Sequence, residues 1–253
     1  MIAWRDAFAA FVRMPVLFGV ATLLTFVQVV VTEPFLSIKP MVEADLLSFF
    51  VVLFASGMVS SLLLTPVAIA VHRYVLLGEV TGRYQLSPTN PRFRRFFLFA
   101  LVFECLWGVP VSLFGLIYGF QGFALFVSFL VVLLTLIVVM IVSLRTLILF
   151  PAIAVDAPGT DWRNALSDTK GHSWRVFFLV TCVAIPAAVV SWTLEWCVGR
   201  WTGQSGAGTA VLGLVQSINS VALIAAYAAA ASRLYWAFAE RLGRSPEAAI
   251  SPA

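Results

Sequence analysis

Along most of this chain apolar residues neither alternate nor recur as one helical stripe; they run on unbroken. Stretches of about twenty of them, the length a helix needs to cross ~30 Å of hydrocarbon, are separated by shorter segments rich in arginine, proline and glycine. Inside a bilayer no water satisfies the backbone, so such stretches must be helices. The pattern predicts six spans, over residues 15–31, 47–71, 96–118, 122–144, 176–197 and 208–231. Two short stretches are amphipathic instead. One opens the chain as MIAWRDAFAAFVR, and the other lies within residues 161–171. In the second, Thr160 or Asp161 can cap a helix start. Trp162, Ala165, Leu166 and Thr169 then share one face, while Arg163, Asn164, Ser167 and Lys170 fall elsewhere. Gly171 suits the helix end, and Ser173 can cap the fifth span. A helix of this kind lies in the headgroup layer, with lipid on one face and water on the other.

Composition removes the soluble classes. The chain is 61% hydrophobic and only 11% charged, against about a quarter charged in soluble domains. The expected fold class is all-α: a polytopic membrane helical bundle, one integral membrane domain over residues 1–253, with 232–253 as a short tail. The apolar stretch after Arg5 and Arg13 outruns a signal-peptide core and ends in VVVTEPF rather than a cleavage site, so the first span is expected to stay.

Charge orients the bundle. Fourteen of the 16 basic residues fall in the N-terminal segment, the second and fourth connections and the tail; only Lys39 and Arg200 lie on the other side. The positive-inside rule places both termini in the cytoplasm, at a bacterial inner membrane. Six spans require termini on one side, so the two readings agree. Tryptophans mark the boundaries: Trp4, Trp162, Trp174 and Trp236 at one, Trp192, Trp196 and Trp201 at the other, with Trp107 deep. The net charge of +4 and the basic patch Arg92, Arg94 and Arg95 point to anionic lipid headgroups, not to nucleic acid. Cys105, Cys182 and Cys197 are scattered, which argues against a disulfide framework or a zinc site. His72 and His172 are the only histidines, and there is no paired-histidine motif, phosphate loop or nucleophile elbow. Asp168 and His172 are one turn apart, with Gly171 between them. The expectation is a protein without a catalytic centre, metal or cofactor.

The chain echoes itself. Trp4–Phe8 and Trp162–Leu166 both read Trp-Arg-(Asp/Asn)-Ala-(Phe/Leu), and each precedes a span. TPVAIAV at Thr65–Val71 resembles FPAIAV at Phe150–Val155, and HRYVLLGE at His72–Glu79 faintly resembles SRLYWAFAE at Ser232–Glu240. The natural unit is an interfacial helix followed by two spans, three times over, with a middle copy that begins near Arg83 and lacks the Trp-Arg signature. Internal repeats underlie many transporter folds.

Polar groups within spans are costly and are functional candidates by default. Glu104 stands near the middle of the third span, and Gln216, Asn219 and Ser220 recur at helical spacing near the middle of the sixth. Together they form a candidate intramembrane polar cluster, with Arg145 as a second, shallower partner for Glu104. Small-residue pairs at Ser56/Ser60, Gly108/Ser112, Gly206/Ala210 and Gly213/Ser217 suit close helix packing, inside the bundle or against a second copy. Pro110 and Pro186 interrupt the third and fifth spans.

One stretch carries a resemblance. In LRTLILFPAIAVDAPGTDWRNALSDTKGHSWRVFFL (Leu144–Leu179), an arginine-bearing apolar helix ends in Pro-Ala. An acidic residue, a short alanine-containing amphipathic helix, a glycine and a Trp-Arg span start follow. Arg145, Pro151, Ala152, Asp156, Ala165, Gly171, Trp174 and Arg175 carry this pattern. It resembles uncharacterised bacterial six-span proteins related to the membrane domain of glycerophosphodiester phosphodiesterases. The phosphodiesterase activity of fused members belongs to a separate soluble barrel, so the resemblance implies a membrane fold and no catalytic residues.

The leading expectation is a non-catalytic inner-membrane scaffold or accessory subunit. It would contact anionic lipids and, through Trp162, Arg163, Leu166, Lys170, Trp174 and Arg175, a membrane-protein partner. The alternative is a transporter or permease subunit for a lipid or amphiphile. A cavity reaching Glu104 would favour the alternative, and a dry, tightly packed bundle the scaffold.

Overall fold

In the computed structural model, residues 2–36, 43–116, 122–202 and 206–243 are described. All regular structure among them is helical: α1 (Ile2–Arg13), α2 (Pro15–Leu36), α3 (Glu43–Leu77), α4 (Pro91–Leu116), α5 (Gly122–Thr146), α6 (Leu149–Ala154), α7 (Trp162–Asp168), α8 (Ser173–Thr202) and α9 (Gly206–Phe238). Five stretches, within α2, α3, α5–α6, α8 and α9, are long and apolar enough to cross a membrane, which makes this a multi-pass membrane protein. The third expected span coincides with α4, a helix of 26 residues that is not among those five. Residues 117 and 118 of that span, Lys39, Arg244 and the tail from 244 onward lie outside the described residues.

Helix ends depart from the apolar pattern where polar side chains find partners. α4 starts five residues before the expected Phe96. The Asn90 side chain accepts from the Arg92 amide at 2.9 Å, and Pro91 occupies the first helical position, where its missing N–H costs nothing. Arg92, Arg94 and Arg95 therefore sit on the first turn of a helix, not in a loop. Cations there oppose the helix dipole, and Arg92 is compensated by its ion pair with Asp156. α8 begins at Ser173 itself, so Ser173 lies in its first turn rather than capping it. α9 continues through the expected start of the tail to Phe238.

Five helices close a ring in the order α3, α4, α5, α8, α9 and back to α3, sparsest between α5 and α8. α2 sits outside the ring in the groove between α3 and α9, and α6 packs against α3, α4 and α9. α3 and α9 pack against each other, and both helices are rich in buried small residues, Ala68 and Ala70 on α3 and Ala225, Ala226, Ala228, Ala229, Ala230 and Ala231 on α9. With lipid as apolar as the core, such close approach is what holds helices together. α2 is fastened by Gln28, whose amide nitrogen donates to the Ser56 carbonyl at 2.9 Å and whose amide oxygen accepts from Ser60 at 3.0 Å. Ser56 and Ser60 thus act as partners of Gln28 as well as small packing residues. A Cβ at Gly213 would come within 3.5 and 3.4 Å of Phe26 and Val29 of α2, so the glycine lets α9 pack closely on that helix. α5 exposes apolar surface over most of its length, as expected where lipid covers it, and buries Val132, Val139, Ser143, Leu144 and Thr146.

At one end of the bundle arginines tie the elements together. Arg73 pairs with Glu79 at 2.6 Å and donates to the Ala154 carbonyl that ends α6. Arg233 of α9 pairs with Asp6 of α1 at 2.7 Å. Arg145 of α5 donates to the Leu166 carbonyl of α7 at 2.6 Å. The contacts recur in cyclic order: α1 and α2 pack on α9, the segment after α3 and α4 pack on α3, and α7 and α8 pack on α5. In the middle case Tyr84 donates to the Leu63 carbonyl at 2.8 Å, in the turn before Pro66.

Two outcomes follow. Replacing Gln28 with Leu removes the α2–α3 fastening; interhelical bonds of this kind average about 0.6 kcal/mol each, so unfolding in mixed micelles should show a loss of about 1–2 kcal/mol. Burial pushes the Tyr84 hydroxyl up from 10.0 to about 12. The fold favours the neutral phenol, so this contribution is whole below pH 10 and fades as pH rises to about 12. Tyr84→Phe should flatten the thermal-stability loss across that window, and should cost about 1 kcal/mol at neutral pH for the lost hydrogen bond.

Candidate binding cavity around Glu104

Inside the ring lies a cavity of about 520 Å³, within the ~300–1,000 Å³ range of small-molecule sites. Its walls are helical stripes. α4 contributes Phe96, Ala100, Phe103, Glu104 and Trp107; α3 contributes Ser61, Thr65, Ala68 and His72 at spacings of four, three and four. α9 contributes Ile224, Tyr227, Ala228 and Ala231, α5 contributes Met140 and Ser143, and Phe150 of α6 closes one end. Phe150 packs against Phe103 and Phe99 with ring centroids 5.0 and 4.7 Å apart. The lining is mostly apolar, with a few polar groups set into it.

Glu104 is the acidic residue of that lining. Its Oε1 accepts from the Ser61 hydroxyl at 2.9 Å, and its Oε2 lies against Gly57, where a Cβ would come within 3.1 Å. Gly57 makes room for the carboxyl on α3. His72 is buried, and its Nδ1 lies 2.8 Å from the Ser232 hydroxyl. That hydroxyl also lies 2.9 Å from the Ala228 carbonyl; its one proton goes either there or to Nδ1, and the tautomer of His72 follows from which. Ser143, in the same wall, has a buried hydroxyl without a partner among the described residues.

The expected polar cluster is not what surrounds Glu104. Gln216, Asn219 and Ser220 do not line the cavity, whose α9 wall begins one turn further on at Ile224. Ser220 donates to the Gln216 carbonyl of its own helix at 2.8 Å. Arg145 turns away from Glu104 toward α7; its Nε is buried and unpaired among the described residues. The cavity groups that the sequence reading passed over are Ser61, Thr65 and His72. Their signal was a polar stripe at helical spacing on the second span.

Around α7, Asp161 caps the helix by accepting from the Arg163 amide at 3.3 Å. Of the face that was expected to meet lipid, Ala165 and Thr169 pack on protein instead, and Trp162 stays exposed. Ala165 and Thr169 are fully buried, and the Thr169 hydroxyl is 3.1 Å from the Arg145 carbonyl. Leu166 is half-buried, whereas Trp162, Arg163, Lys170, Trp174 and Arg175 are exposed, with Arg163 stacked over Trp162 at 5.4 Å. Asp168 accepts from the amides of Arg241 and Leu242 at 3.0 and 3.1 Å. His172 stacks on Phe238 at 4.7 Å. Asp168 and His172 thus each hold the end of α9 and do not pair with one another. Arg94 and Arg95 are exposed beside Arg92.

Among the described residues no group of three His, Cys, Asp or Glu side chains could hold a metal ion, and the three cysteines are free. No protein-family model matches the chain, and neither a curated protein nor a solved structure matches it.

Gly57→Ala should leave stability within about 1 kcal/mol of the parent in a thermal scan, because the helix-propensity gain of about 0.5–1 kcal/mol offsets crowding of a movable carboxyl. Gly57→Leu places a branched chain where that carboxyl sits and should lower the melting temperature clearly.

Proposed function

We propose that this protein is a six-span bacterial inner-membrane protein that binds an amphiphilic small molecule within its helical ring and serves its transport. The observation that carries the reading is a cavity of about 520 Å³ that holds a carboxyl among apolar walls. A scaffold has no need of such a space. The binding is non-catalytic: Glu104 recognises and does not transform. α4 completes the six spans, and the arginine-rich end is cytoplasmic by the positive-inside rule, where Arg94 and Arg95 meet anionic headgroups. Three units, each an interfacial segment with two spans, account for both the sequence echoes and the cyclic packing. The relation to the membrane domain of glycerophosphodiester phosphodiesterases belongs to the same proposal and rests on the Leu144–Leu179 motif.

A second reading, an accessory subunit docked through α7 and the start of α8, has one observation in its favour. Trp162 and Trp174 are 55% and 70% exposed beside Arg163, Lys170 and Arg175, a ridge suited to a protein partner.

Native mass spectrometry of the protein purified in a maltoside detergent tests the first reading. The wild type should retain about one amphiphile per chain. Ala100→Trp, which fills the cavity, should lower that occupancy about tenfold or more, a change of about 1.4 kcal/mol in binding, while Leu98→Trp on the outer face of α4 leaves it unchanged. No retained amphiphile, or equal retention by Ala100→Trp, would overturn the proposal.

A further inference from the structure

Three hydroxyls on the α3 wall have committed their protons, whereas Ser143 of α5 keeps a buried hydroxyl without a partner among the described residues. The Ser60 hydroxyl commits its single proton to the Gln28 side chain, Ser61 to Glu104, and Thr65 to the Ser61 carbonyl at 2.7 Å. His72 turns Nδ1 to the Ser232 hydroxyl. Glu104 has acceptor capacity for about four hydrogen bonds, and Ser61 is its hydrogen-bond donor among the described residues. No lysine or arginine lines the cavity. Arg145, the nearest candidate by sequence, is held by the Leu166 carbonyl.

A carboxylate in an apolar wall without a cation is costly by several kcal/mol unless its counter-charge arrives from elsewhere. Aromatic residues line the same cavity. Phe103 and Trp107 flank Glu104 on the same helix, and Tyr227, Phe150 and Phe177 complete the walls. Aromatic faces attract ammonium groups, by about 2 kcal/mol when water is excluded.

We infer that the ligand is an amphiphile with a cationic, amine or quaternary ammonium head, held by Glu104 and the surrounding aromatic rings, with its apolar chain against the phenylalanines. This inference rests on the cavity reading above and names the chemical class that the cavity selects. An anionic head of the same size would face the Glu104 carboxylate with no lysine or arginine among the described lining residues to balance it.

The test uses the full-length protein in a non-ionic maltoside. Dodecyltrimethylammonium and dodecyl sulfate, which share one chain and differ in head charge, are titrated below their micellar concentrations by calorimetry. The cation should bind at least about tenfold more tightly than the anion. Glu104→Gln should reduce that ratio to near one, and Glu104→Asp should keep its direction. Equal affinity of the two probes for the wild type overturns the inference whether or not the variants fold, as does a cation preference that survives in Glu104→Gln. If both probes bind alike and Ala100→Trp abolishes both, the cavity reading stands and the cationic class falls. If Ala100→Trp changes the binding of neither probe, both fall.

Discussion

The close approach of α3 and α9 governs this structure. Buried alanines on α9 and on α3 keep both helices slim, which lets them pack closely. Once that pair is fixed, the rest has its place. α2 lies in the outer groove of the pair, α6 packs across one end, and α4 and α8 flank it. α5 completes the circuit with little packing of its own. The space that remains on the α5 side is the cavity. Tight packing on one side and sparse packing on the other are thus two results of one distribution of side-chain size.

The positions of the spanning helices were legible because hydrocarbon imposes a single requirement, an apolar run of sufficient length. Their ends were less legible, since ends are decided by local partners. Asn90 and Pro91 start α4 early, and Asp161 rather than Thr160 caps α7. The centre of the site was half legible. Glu104 stood out as a carboxyl in an apolar run, but its neighbours depend on helix order and rotation, which a linear pattern does not carry. Depth alone pairs Glu104 with Gln216 and Asn219, whereas rotation brings it to Ser61 and Gly57. Gln28 shows the same limit: a lone glutamine in an apolar helix gives no sign of which two serines it will bridge.

The sequence echoes acquire a geometric meaning. His72 and Ser232 occupy matching places in HRYVLLGE and SRLYWAFAE, and their side chains meet at 2.8 Å. The alanines of the two Trp-Arg motifs, Ala7 and Ala165, are both buried. Arg73 and Arg233, the next matched pair, both close ion pairs, one within its own segment and the other with α1. Positions that match in sequence thus serve matching roles in packing, even where, as at His72 and Ser232, the side chains differ.

The ion pair between Arg233 and Asp6 spans 227 positions of the chain. α1 rests on α9 and on little else, so the helix that leaves the ribosome among the earliest waits for one of the latest before it has a seat. The first spans can insert as they are made, but the bundle cannot be finished segment by segment. Its assembly is a closing event, completed when α9 arrives and α1 locks against it.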